Sequence, residues 1–86
     1  MLNSILTDKD LSNSEKVVLL YLIDKCYNSK LNITFKKLEE ELGMTRPTIA
    51  KAIKNLEEKQ IVKKEKNFDN GIISPNTYSI NLFKYN

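Results

Sequence analysis

The sequence predicts an α+β domain in which three helices form one core and a C-terminal β-hairpin follows them. Three observations carry this expectation. A capping signal at Ser12 opens a run whose apolar residues recur at helical spacing. A lone glycine, Gly43, separates two further stretches of helical periodicity. After Gln60 two strand-like segments flank a strong turn signal, and the second of them alternates with a period of two. With 86 residues the chain can bury one small core, and residues 1–86 are read as a single domain.

Ser12 followed three residues later by Glu15 is a capping box. The hydroxyl accepts from the amide of Glu15, and the carboxylate can reach back to the amide of Ser12. The first helix is expected from about Asn13 to Tyr27, with Val18, Leu19, Leu22, Ile23 and Cys26 on its buried side, and Asn28-Ser29-Lys30 ends it. The partly β-branched "LNIT" predicts a short strand. Thr34 is then the N-cap of a second helix from Phe35 to Leu42. Phe35, Leu38 and Leu42 form its apolar face, while Lys36, Lys37 and the acids Glu39, Glu40 and Glu41 face water. Gly43 follows at the place where a left-handed residue closes a helix.

The third helix starts near Thr45 or Arg46 and ends near Gln60. Ile49, Ile53 and Leu56 recur at i, i+4, i+7, with Ala52 beside them, as one buried stripe. Its other faces carry Arg46, Pro47, Ala50, Lys51, Lys54 and Asn55. Proline is tolerated in a first turn, where its missing N–H has no intrahelical partner. It also pushes Arg46 out of the α region. Two starts stay open: Thr45 as N-cap with Pro47 second, or Arg46 as N-cap with Pro47 first. Beyond Gln60, "IVKKEK" and "TYSINL" read as strands of a hairpin. Asp69-Asn70-Gly71 marks the turn, in a loop of up to ten residues, and Pro75 belongs outside the ladder.

Composition narrows the functions. No stretch approaches the roughly 20 apolar residues of a membrane span, and the N-terminus lacks the features of a signal peptide. The single cysteine, Cys26, and the absence of histidine leave no disulfide, zinc site or nucleophile–base arrangement. The only glycines, Gly43 and Gly71, form no phosphate loop. Glu39, Glu40, Glu41, Glu57 and Glu58 are expected on solvated helix faces. No enzyme, metal, cofactor or small-molecule ligand is expected, and the location is read as cytoplasmic. The net charge of +3 is unevenly spread. From Gly43 to Lys66, seven basic residues stand against three acids, a charge of +4, whereas the remainder carries −1. One contiguous basic segment is the expected footprint of a polyanion-binding face, although such a run is as often a solvated surface.

Ile33-Thr34, Leu38, Leu42, Gly43-Met44, Thr45-Arg46-Pro47-Thr48-Ile49 and Leu56-Glu57-Glu58-Lys59-Gln60-Ile61-Val62 together resemble the winged helix-turn-helix DNA-binding family. The opening "LSNSEKVVLLYL" and the closing "NTYSINL" resemble the family's first helix and last strand, so the likeness covers roughly residues 11–82. It is similar in particular to small bacterial regulators and to plasmid and phage replication proteins. The resemblance implies a winged fold and double-stranded DNA as partner. At Gln60 the family usually has glycine, so the helix is expected to end in a different geometry.

A helix held with its first turns and outer face exposed fits the roughly 12 Å major groove of B-DNA. The expected contacts are Thr45, Arg46, Pro47, Thr48, Lys51, Lys54 and Asn55 on that helix, and Lys64, Lys66, Asn70 and Gly71 on the wing. Arg46 either pairs bidentately with guanine or clamps a phosphate. Thr48 either donates to a phosphate or caps its own helix, and Asn55 lies far down the helix for reading adenine. Lys51 is taken as groove-facing and Lys54 as phosphate-facing. Strand alternation puts Lys64 and Lys66 on one face and Lys63 on the other. The competing reading is a protein-docking winged helix that uses Tyr21, Tyr27 and the aromatic tail. A homodimer through the first helix or the C-terminal tail, where Phe83 and Tyr85 lie, would predict a palindromic or repeated site.

Overall fold

The computed structural model describes residues 2–27, 30–65, 68–69, 72–73, 76–82 and 85. The elements run α1 (Leu2–Leu6), α2 (Asn13–Lys25), β1 (Lys30–Ile33), α3 (Phe35–Leu42), α4 (Arg46–Glu58), β2 (Val62–Glu65), β3 (Phe68–Asp69), β4 (Ile72–Ile73) and β5 (Asn76–Ile80). The α+β class and the winged helix-turn-helix arrangement hold, with one helix more than expected. The additional helix, α1, spans only five residues, but it delivers Ile5 into the core with no exposed surface.

The α2 helix starts where the capping box puts it. Ser12 is extended, with φ −72° and ψ 166°, and the Glu15 amide donates to its Oγ at 3.2 Å. The glutamate meets the serine hydroxyl, which donates to Oε2 at 2.9 Å. The helix stops two residues earlier than its apolar spacing suggests. Cys26 is already extended, and Tyr27 exchanges backbone hydrogen bonds with Lys30 at 2.8 and 3.0 Å, so strand-type pairing takes the place of a last turn. Asn28 and Ser29 lie outside the described residues.

Thr34 caps α3 by accepting from the Lys37 amide at 3.1 Å. Gly43 ends it at φ 64°, ψ 28°, the left-handed region that glycine reaches without a Cβ penalty. Two residues later Thr45 is the N-cap of α4, so Arg46 is the first helical residue and Pro47 the second. The open choice of helix start is thereby closed.

The far end of α4 corrects the expectation at Gln60. Lys59 is the C-cap, and Gln60 adopts φ 62°. The Gln60 amide donates to the Glu57 carbonyl at 2.9 Å and the Ile61 amide to the Leu56 carbonyl at 3.0 Å. This pair of bonds is the Schellman motif, and the buried residues Leu56 and Ile61 supply its apolar contact. The left-handed geometry is kept because these interactions over-determine it, even without glycine.

The sheet is more than a hairpin. Its three antiparallel strands run in the order β1-β5-β2, with Leu31 opposite Tyr78 and Lys64 opposite Tyr78 on the other side. The expected long loop contains a second ladder, in which Phe68 pairs with Ile73 and Asp69 with Ile72. Pro75 lies outside the described residues. Val18, Leu19 and Leu22 of α2 pack with Leu38 of α3, with Ile49, Ile53 and Leu56 of α4, and with Ile61, Val62 and Tyr78 as one core cluster. Burial of these side chains is the main stabilising contribution, each worth about 1.5–3 kcal/mol. Among the described residues no helix is long and apolar enough to cross a membrane.

Candidate nucleic-acid interface

The α4 helix is anchored on one side and open on the other. Ile49, Ala52, Ile53 and Leu56 are buried, while Arg46, Pro47, Thr48, Lys51 and Lys54 are exposed. Among the described residues Lys51 and Lys54 take part in no ion pair, so both charges face outward unneutralised. The Thr45 and Thr48 hydroxyls bond to one another at 2.9 Å, and the Thr45 side chain caps no backbone amide. The first-turn donors, apart from the one that Pro47 lacks, are left without side-chain partners of this kind.

Arg46 is not an isolated cation. Its Nε lies 3.6 Å from Glu39 Oε1, and its guanidinium stands 5.5 Å from the centroid of the Phe35 ring. Lys64, from the wing, places its ammonium 5.5 Å from the centroid of the same ring. Strand alternation accounts for this. Lys64 shares the helix-facing side of β2 with buried Val62, whereas Lys63 and Glu65 share the other side and pair at 3.6 Å. Lys66, Asn70 and Gly71, the other wing residues singled out from sequence, lie outside the described residues.

Asn55 of α4 and Lys59, the helix's C-cap, turn toward α2 instead. Asn55 Nδ2 donates to Glu15 Oε2 at 3.1 Å, so its amide ties α4 to α2 and is turned away from the exposed face. Lys59 Nζ bonds Glu15 Oε1 at 3.0 Å and also the Asp10 carbonyl. Glu15 is 5% exposed and is the one charged residue in the core of the described chain. Burial raises its carboxyl pKa, but hydrogen bonds from Lys59, Asn55 and Ser12 outweigh that and hold the pKa below the usual carboxylate value. Lys59 therefore drops out of the basic footprint read from sequence.

Sequence reading overlooked Phe35 as part of this face, having assigned it to the apolar side of its helix. It also overlooked Glu15 as the tie between α2 and α4. The only sequence signal for the latter was the capping box itself. At the C-terminal end Tyr85 donates its hydroxyl to Asp8 Oδ2 at 2.8 Å, so this aromatic packs within the chain, while Phe83 lies outside the described residues. Tyr27 is 81% exposed and Tyr21 is half-buried. Among the described residues no cluster of three or more histidine, cysteine, aspartate or glutamate side chains could hold a metal ion.

Comparison with known proteins places this geometry. The family model for a helix-turn-helix domain matches residues 9–62, more than half of the chain. A possible transcriptional regulator from Methanosarcina mazei Go1 superposes with a TM-score of 0.68 at 18% identity, covering 96% of this chain and 68% of its own. The transcriptional regulator homologue from Pyrococcus horikoshii OT3 gives 0.67 at 20% identity, covering 95% and 76%. At such identities the likeness is one of fold. No curated protein matches.

Proposed function

The chain belongs to the helix-turn-helix domain family, and from that premise we propose that it is a sequence-specific double-stranded DNA-binding domain acting without catalysis in the cytoplasm. The observation that carries this reading is the exposed face of α4, on which Arg46, Lys51 and Lys54 stand over a buried stripe that fixes the helix. In this reading α4 lies in the major groove, its first turn meets base edges, and Lys51, Lys54 and Lys64 meet phosphates. Thr45, Pro47 and Thr48 shape the first turn, and the residues Lys66, Asn70 and Gly71 extend the contact along the wing.

The domain serves as a regulator or as an initiator or accessory protein of a plasmid or phage. The whole chain works as one domain, and two copies joined through α2 or the tail would read half-sites about one helical turn apart.

The test is selection of bound duplexes from a random pool, followed by gel-shift titration of the winners at several salt concentrations. Arg46→Ala should weaken specific binding by about 1–3 kcal/mol. Each lysine removed should lower the slope of log affinity against log salt by about one unit. Unchanged affinity in an Arg46→Ala, Lys51→Ala double variant would reject the assignment of α4 as the reading helix. It would favour the docking reading instead.

A further inference from the structure

We infer that Phe35 is a positioning residue for DNA binding: its ring holds Arg46 of the first turn of α4 and Lys64 of the wing as one pre-arranged pair of cations. The inference rests on the DNA-binding reading above and assigns to that interface a residue that carries no charge and no hydrogen-bonding group.

Phe35 occupies a junction. It is the first residue of α3, directly after the Thr34 cap and two residues after β1 ends, and it is half-buried. From there its ring is reached by a guanidinium at 5.5 Å and by an ammonium at 5.5 Å. The face of an aromatic ring carries partial negative charge and attracts cations at this range. Two like charges brought to one ring would otherwise repel and splay apart. Glu39, 3.6 Å from Arg46, supplies a single formal negative charge against the two positive ones, so the group keeps a net positive charge for a polyanion. Lys64 is half-buried on the side of β2 that also carries buried Val62, so its ammonium comes to the ring from the sheet.

The consequence is a linkage between the two DNA-contacting elements. Arginine and lysine side chains lose much rotamer freedom when a complex forms, and that loss counts against affinity. A ring that already orders both side chains reduces the loss for both. It also fixes the offset between the first turn of α4 and the base of the wing, which a flexible pair of side chains would leave open.

The test is a set of four variants titrated against a fluorescently labelled random-sequence duplex two helical turns long. Phe35→Leu keeps an apolar side chain and removes the ring, whereas Phe35→Tyr keeps the ring. Phe35→Leu should weaken binding about three- to tenfold, the effect of leaving one or two long side chains to be ordered on binding, and Phe35→Tyr should stay within about twofold. In an Arg46→Gln, Lys64→Gln background, the further change Phe35→Leu should leave affinity unaltered. In the free protein, the side-chain protons of Arg46 and Lys64 should show ring-current shifts that Phe35→Leu abolishes, a readout that requires no DNA.

Equal weakening by Phe35→Leu in both backgrounds would mean the residue acts through packing alone and would overturn the inference. So would unchanged affinity of Phe35→Leu in the otherwise native chain, or the absence of ring-current shifts. The Arg46→Gln, Lys64→Gln pair should itself lower the salt slope by about two units. If it does not, the DNA-binding face is wrongly placed and the inference falls with it. If that slope does fall while Phe35→Leu acts alike in both backgrounds, only the role of Phe35 is lost.

Discussion

Replacing Gln60 by glycine should make the protein more stable. Gln60 is exposed and sits at φ 62°, where an L-residue crowds its Cβ against the following carbonyl. That strain is worth about 1–2 kcal/mol. Glycine relieves it, but its freer unfolded chain costs back about 0.4–1 kcal/mol. The net expectation is a gain of about 0.5–1 kcal/mol. The two Schellman bonds at 2.9 and 3.0 Å and the burial of Leu56 and Ile61 do not involve the Gln60 side chain, so they survive the change. For a domain of this size about 1 kcal/mol corresponds to 4–8 °C in Tm, so the midpoint should rise by roughly 2–8 °C. The assay is thermal unfolding paired with urea titration, and the urea slope should stay constant while the midpoint moves. Gln60→Ala is the control: it keeps the Cβ and the strain, and should stay within about 0.5 kcal/mol of the native chain. A Gln60→Gly midpoint at or below that of the native chain, or an equal rise in Gln60→Ala, would refute the strain argument.

Gly43 gives the mirror experiment. An added Cβ there meets no atom within 4 Å, but φ is +64°, so Gly43→Ala should destabilise by about 1 kcal/mol through the backbone alone, as read by urea unfolding. Glu15→Ala removes acceptors from Ser12, Asn55 and Lys59 together and should cost about 2–4 kcal/mol in the same assay. The pH dependence has a definite sign. The Glu15 pKa is lower folded than its ordinary value of 4.5, so its contribution is fully present above 4.5 and lost as pH falls through the folded value. Urea midpoints measured from neutral pH to below 4.5 should therefore fall less steeply in Glu15→Gln than in the native chain. Tyr85→Phe deletes the bond to Asp8 and should cost about 0.5–1.5 kcal/mol by thermal unfolding.

What could be read from sequence was encoded within a few residues. The Ser12 and Thr34 caps, the left-handed Gly43 and the buried stripe of α4 each depend on neighbours at most a few positions away, and each appears where the spacing puts it. The misses were longer in range or weaker in signal. Asn55 and Lys59 look outward on a helical wheel, yet Glu15, 40 and 44 residues away in sequence, claims both. Tyr27 was expected to end the first helix but is taken by backbone pairing with Lys30. The five residues of α1 carry no cap signal, and Phe35 gave no sign of its cationic neighbours because its apolar character already explained its position. At Gln60 a sequence preference was outweighed by two backbone bonds and an apolar contact.

The central place of β5 has a consequence in time. The strand lies between β1 and β2, and its register joins Lys30 to Ser79 across most of the chain. Loop closure of that length is slow compared with the local contacts among α2, α3 and α4. During refolding the helices can pack on near neighbours in sequence, but β1 and β2 lack their central strand until Asn76–Ile80 docks between them. Pulse-labelled hydrogen exchange during refolding should accordingly find amides of α2 and α4 protected before those of β1 and β5. The α4 helix would then be in place before the wing that flanks it.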